Sequence, residues 1–117
     1  MKYVFALAVT AWLGLCCDLA LAGGPRVVVF LKAKPGTEQT LLDNTKHWMV
    51  EVRKVPGLER VDVNIQNDDP STLVLYYNWR SKDDEEAYRK SDLYKQAIDA
   101  LEPLVGERHL VRATNVD

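Results

Sequence analysis

Beyond residue 17 the chain contains no cysteine. Cys16 and Cys17 stand side by side near the N-terminus, so the rest has no disulfide to staple it, no thiol nucleophile and no thiolate metal site. Histidine is almost as scarce. His47 and His109 are far apart, and neither has an acidic neighbour at ligand spacing, so no metal motif is recognisable. Neither sign of charge dominates: 15 Lys and Arg against 17 Asp and Glu give a net charge of −2. Nucleic acid requires clustered cations, so it is excluded as a partner. Glycine and proline, 6 and 5 in 117 residues, are too few for a collagen-like or low-complexity chain. No apolar run reaches the ~20 residues of a spanning helix. G-x-S-x-G, the P-loop, the dinucleotide fingerprint and H-E-x-x-H are all missing, which removes support for hydrolase, kinase and NAD-dehydrogenase readings.

What is present suits one domain preceded by an export signal. Met1-Lys2-Tyr3 carries one positive side chain, and Val4 to Cys17 is an uncharged, mostly apolar run. Ala20-Leu21-Ala22 then supplies a small-x-small cleavage site. Residues 1–22 read as a signal peptide and residues 23–117 as the mature domain, periplasmic or secreted and free of the membrane after cleavage. Lys2 and Asp18 leave together, so the remaining 95 residues keep the charge of −2. A domain of that size buries only about 60–65% of its unfolded surface. With no disulfide, dimerisation is one way to bury more.

The pattern resolves into six elements. Arg26 to Ala33 is β-branched and apolar, hence a strand, ended by Pro35-Gly36. Thr37 is a plausible N-cap. Leu41, Leu42, Trp48, Met49, Val52 and Val55, with Thr45, share one stripe of a helix over 41–55. Val50 sits nearly opposite that stripe, and His47 lies on the solvated side. Leu58 to Gln66 alternates, Val61, Val63 and Ile65 pointing one way. Asn67-Asp68-Asp69-Pro70 is a turn into a strand over 72–79. Ser81 with Asp84 resembles a capping box, and the acidic run Asp83 to Glu86 suits a helix N-terminus better than a Ca²⁺ loop. Ser91-Asp92 reads as a second cap. Leu93, Ala97, Ala100, Leu101 and Leu104 form the apolar face, Gly106 is expected to end the helical region, and Arg108 to Val116 is the last strand.

The order β-α-β-β-α-β predicts an α+β, ferredoxin-like domain: an antiparallel sheet with two helices on one face. The other face should then be wet. Yet the first and third strands are apolar on both parities: Val27, Val29 and Leu31 against Val28 and Phe30, Leu73 and Leu75 against Val74 and Tyr76. The second face is therefore expected to be covered by another copy, giving a homodimer.

Val27-Val-Val-Phe-Leu-Lys-Ala-Lys-Pro-Gly36, Val55-Pro-Gly-Leu58, Asp68-Asp-Pro-Ser-Thr-Leu-Val-Leu-Tyr-Tyr-Asn-Trp79 and Asp84-Glu-Glu-Ala-Tyr-Arg-Lys-Ser91 follow one another at family spacing. In these segments the chain resembles the antibiotic biosynthesis monooxygenase (ABM) domain family. The resemblance implies a homodimeric, dimeric α/β barrel with a pocket for flat aromatic molecules between sheet and helices. Some members oxidise quinols or polyketide anthrones with O₂ and no metal or flavin; others degrade haem; many have no known activity. Many carry Glu two residues before the strand-end Trp and His nine residues after it; this chain has Tyr77 and Tyr88 there. The haem branch ligates iron through a helix His, where this chain has Ile98.

Four residues are the site candidates. Trp79 and Tyr77 share a strand face, Trp79 as a wall stacking on substrate and Tyr77 as a phenolic donor. Tyr88, at the family's His position, would orient or donate rather than abstract a proton. His109 would serve as a base if its parity faces the helices. Tyr94 reads as packing, Asn78 as a structural hydrogen bond, and Arg108 and Arg112, on one strand face, as partners of carboxylates across the sheet or the dimer. The expected activity is cofactor-independent monooxygenation of a quinol-like or polycyclic aromatic substrate, with no metal. A non-catalytic module that binds a small aromatic ligand or is only structural stands as the alternative, haem degradation as a third.

Overall fold

The computed structural model describes residues 23–116. The expected signal peptide lies outside them. The first strand, β1, spans Pro25–Ala33 and helix α1 spans Glu38–Val52. Strands β2 (Leu58–Ile65) and β3 (Thr72–Trp79) follow, then α2 (Lys82–Arg89), α3 (Asp92–Leu101), a 3₁₀ turn (Glu102–Leu104) and β4 (Val105–Thr114). The four strands form one antiparallel sheet in the order β2-β3-β1-β4. This is the ferredoxin-like fold, with the second helical region divided in two. Among the described residues no helix is long and apolar enough to cross a membrane.

Local chemistry explains most boundaries. Gly36 and Gly57 have φ near +86°, where a side chain is disfavoured, and each sits in the turn on one side of α1. Thr37 takes the N-cap position without capping: its hydroxyl lies 2.8 Å from the Lys34 carbonyl and 3.0 Å from that of Leu104. It thus pins the start of α1 to the 3₁₀ turn. The helix starts and stops three residues before the apolar stripe does. Val55 stays against the core from the turn beyond, where its amide bonds the Val52 carbonyl at 3.0 Å. Leu41, Thr45, Met49 and Val52 are the buried face of α1, and Val50 is 56% exposed, as the wheel requires. In the β2–β3 turn, Asp69 accepts from the Ser71 and Thr72 hydroxyls and from the Lys32 ammonium. These bonds hold its carboxyl well below the ordinary carboxylate range.

The serine caps behave as read. Ser81 accepts from the Asp84 amide at 3.1 Å and Ser91 from that of Tyr94 at 3.2 Å. The expectation for Gly106 is corrected. Helix α3 ends at Leu101, and Gly106 already belongs to β4. Pro103 is the breaker, because it has no amide hydrogen to continue the helix and its ring crowds the carbonyl four residues back.

Strand registers divide the sheet into two faces. Val27, Leu31 and Ala33 of β1, Val61 of β2, and Leu73, Leu75, Tyr77 and Trp79 of β3 are buried under the helices with Leu41, Met49 and Val52. The opposite face carries Val28 and Phe30 beside Val74 and Tyr76, with Val111 and His109 across from them on β4. Asn78 on this face accepts from the paired Arg26, the structural bond expected of it.

Candidate functional site

The sheet registers build the site from three rungs. Tyr77, Val27 and Arg112 form one, Leu75, Val29 and Leu110 the next, Leu73, Leu31 and Arg108 the third. Helices α2 and α3 lie over them and leave a cavity of about 80 Å³. Its floor is aliphatic. One end is aromatic, and its rim is charged.

Tyr77 and Trp79, two residues apart on β3, hold their rings parallel within 3°, centroids 6.5 Å apart. Tyr88 of α2 closes on them from above, 5.3 Å from Trp79 and 6.5 Å from Tyr77. Tyr94 of α3 meets Tyr88 edge-on at 5.2 Å. Three of the four expected site residues therefore come together, and Tyr94, read as packing, also lines the cavity.

Burial decides the chemistry of these phenols. It pushes the Tyr88 hydroxyl up to about 12, with the neighbouring Tyr94 adding to the effect. Tyr77 moves further in the same direction, again through burial first and then through Tyr88 and Tyr94. Both are neutral hydrogen-bond donors across the physiological range and neither is a base. In the unfolded chain a tyrosine ionises near ~10. The raised pKa values therefore mean that the folded state holds its phenolic protons longer, and stability falls as pH rises above ~10.

His109 does not join them. It stands on the opposite sheet face, its ring 5.9 Å from that of Phe30. Arg108, Leu110 and Arg112 take the inward parity of β4. The expectation that His109 lines the pocket as a base is thus corrected by strand register. Alternation made the choice binary, and β4 carries apolar residues on both parities, Leu110 on one and Val111 on the other.

Glu85 was missed. It belongs to the acidic run at the start of α2, but its side chain is buried and reaches the cavity. Its Oε2 accepts from Arg89 Nε and from Arg112 Nε, both at 3.0 Å. The carboxylate therefore ties α2 to β4 at the aromatic end. Helical periodicity carries the signal, since Glu85, Tyr88 and Arg89 are i, i+3 and i+4 on one face. Arg112 does meet a carboxylate, but the carboxylate comes from helix α2 and not from across the sheet; Arg108 has no ion pair among the described residues.

Ile98 lines the cavity, so the position at which the haem branch places its iron ligand does face the pocket but offers only an alkyl group. No group of three or more His, Cys, Asp or Glu able to hold a metal occurs among the described residues.

Comparison with known proteins gives a family from the sequence and a fold from the solved structures. Residues 26–100 match the family model described as antibiotic biosynthesis monooxygenase. The solved structure named "Putative antibiotic biosynthesis monooxygenase from Nitrosomonas europaea" superposes with a TM-score of 0.73 at 23% identity, over 80% of this chain and 92% of that one. A second protein so named, from Caulobacter crescentus CB15, gives 0.76 at 18% identity over 83% and 93%. A conserved protein from Methanosarcina mazei Go1 gives 0.75 at 19% over 84% and 97%. At these identities the superpositions speak for the fold. Among curated proteins none matches the sequence of this chain.

Proposed function

Because the chain belongs to the antibiotic biosynthesis monooxygenase family, we propose that its cavity binds an electron-rich, quinol-like aromatic and oxidises it with O₂. The observation that carries this reading is the enclosure formed by Tyr77, Trp79, Tyr88 and Tyr94 over an aliphatic floor. An apolar pocket with a few convergent donors is the usual form of a small-molecule site. Its size favours a single ring over a fused polycycle. At about 80 Å³ it is smaller than the ~150 Å³ cavity known to admit benzene. Even one ring has to move the rim, whose exposed members are Arg89, Glu102, Arg108 and Arg112.

In this mechanism the protein supplies position and field. The rings orient the substrate against O₂, and burial removes competing water. The Tyr77 and Tyr88 hydroxyls donate to the substrate oxygen as it becomes anionic. The substrate anion then passes electrons to O₂ directly. Overall a hydroquinone and O₂ give a hydroxyquinone and water: one oxygen atom enters the ring and the other leaves fully reduced.

Oxygen uptake by residues 23–117 over a panel of substituted hydroquinones, with chelator present and autoxidation subtracted, tests the reading. Saturable uptake is expected, reduced about tenfold or more in Tyr88→Phe, since loss of one donor to a developing oxyanion has effects of that order or larger. The rate should follow ionisation of the substrate's own hydroxyl, with no inflection from Tyr88 below pH about 12. Saturable binding with no uptake would instead mean a binding module. That second reading is favoured by one observation: Tyr77 and Tyr88 keep their phenolic protons and Glu85 is held by two arginines, so neither of these phenols nor that carboxylate stands free as a base.

The same proposal takes the domain as an exported homodimer. Export rests on the N-terminal run and the Ala20-Leu21-Ala22 site. The dimer rests on the face opposite the helices, where Val28, Phe30, Val74, Tyr76 and Val111 make an apolar centre. Around it lie the polar pairs Arg26–Asn78, Lys32–Asp69 and Arg60–Asp62, an apolar core inside a polar rim. Expression with the native N-terminus should yield protein that begins at Gly23 and sediments at twice the chain mass. Uncleaved protein would remove the export reading, and a monomer mass would remove the dimer.

A further inference from the structure

The cavity is cationic in a protein that is not. Its lining holds Arg89, Arg108 and Arg112 against Glu85 and Glu102, a surplus of one positive charge, whereas the whole chain carries −2. These cations differ in their engagement. Arg89 and Arg112 both meet Glu85, which fixes them at the aromatic end. Arg108 lines the other end, beside Leu31, with no ion pair among the described residues. Arg108 and Arg112 are four residues apart on one strand, so their Cα atoms lie about 13 Å apart. The rung of Leu75, Val29 and Leu110 between them is wholly apolar.

We propose that Arg108 is an anion anchor, and that the ligand is an aromatic carboxylate with its ring among Tyr77, Trp79 and Tyr88 and its carboxylate on the Arg108 guanidinium. A guanidinium matches a carboxylate in planarity and donor spacing, and can bind it through two parallel hydrogen bonds. The apolar Leu110 rung between the two ends suits a short alkyl spacer, seated when the rim opens to admit the ring. The surplus positive charge would also draw an anion to the mouth of the cavity. This inference rests on the aromatic-pocket reading and adds to it the class of ligand and the residue that selects it.

Calorimetric titration with three probes tests it: 3-phenylpropionate, its neutral primary amide, and hydroquinone. The carboxylate is expected to bind about tenfold more tightly than the amide, with an affinity that falls as salt rises. Arg108→Gln should bring the carboxylate down to the amide, and Arg108→Lys should restore part of the preference. Arg108 is exposed, so both variants should fold, as circular dichroism can show. Equal affinities for carboxylate and amide in the unaltered protein, with hydroquinone still bound, would overturn the anchor and leave the aromatic pocket standing. A preference that survives in Arg108→Gln would likewise overturn it, by locating the anion elsewhere. If none of the three probes binds, the aromatic-pocket reading fails and the anchor fails with it.

Discussion

Replacing Trp79 by alanine is expected to lower the stability of the domain by about 3–5 kcal/mol. The indole is 1% exposed and sits where the end of β3 meets α2, with Tyr77 and Tyr88 as ring neighbours. Its removal deletes a large apolar area and leaves a hole beside a cavity that already exists, so little repacking is available to fill it. A domain of this length has a total stability on the order of 5–15 kcal/mol, so the loss is a large share of it. Urea unfolding followed by far-ultraviolet circular dichroism measures the change. Trp79→Phe should cost less and remain folded, which allows aromatic binding to be compared at constant fold. A Trp79→Ala protein within 1 kcal/mol of the parent would mean that the indole is not part of the core.

The second large effect concerns two glycines with the same backbone and different surroundings. Gly36 and Gly57 both have φ near +86°. A Cβ on Gly36 meets nothing within 4 Å, so Gly36→Ala carries only left-handed strain, about 1–2 kcal/mol. A Cβ on Gly57 would overlap Asp84 Cγ and lie 2.5 Å from Asp84 Cβ, so rotating the carboxylate away does not relieve the collision. The Asp84 carboxylate also holds Ser81 at 2.7 Å and Arg80 at 3.0 Å, and the Arg80 amide bonds the Gly57 carbonyl at 2.7 Å. Gly57→Ala must therefore displace the N-terminus of α2, and with it Glu85 and Tyr88. The expected loss is about 3–4 kcal/mol, at least 1 kcal/mol beyond that of Gly36→Ala, by the same unfolding measurement. Equal losses at the two positions would show that the contact with Asp84 has no energetic weight.

Much of this molecule is legible in its residues because the signals are local. The valine run of β1, the alternation in β2, the wheel of α1 and the serines at 81 and 91 each act within a few positions of themselves. The family likeness travels the same way, in short segments at fixed spacing. Period two places Tyr77 with Trp79, and period 3.6 places Glu85 with Tyr88, with no reference to the rest of the chain. Where two local signals compete, the reading fails by a few residues: Gly106 and Pro103 both end helices, and the missing amide of Pro103 comes first.

The tertiary structure decided which of two equivalent faces each periodic element turns inward. In β4 alternation permits either His109 or Arg108 and Arg112 to face the helices, and the register against β1 selects the arginines. In α2 an acidic first turn suits solvent, yet Glu85 is buried because Arg112, brought by a strand 27 residues away, meets its carboxylate there. A sequence determines its periods, because they arise from bonds between near neighbours. It does not display their phase, because phase is set by burial and by charge pairing between segments that meet only in the folded chain.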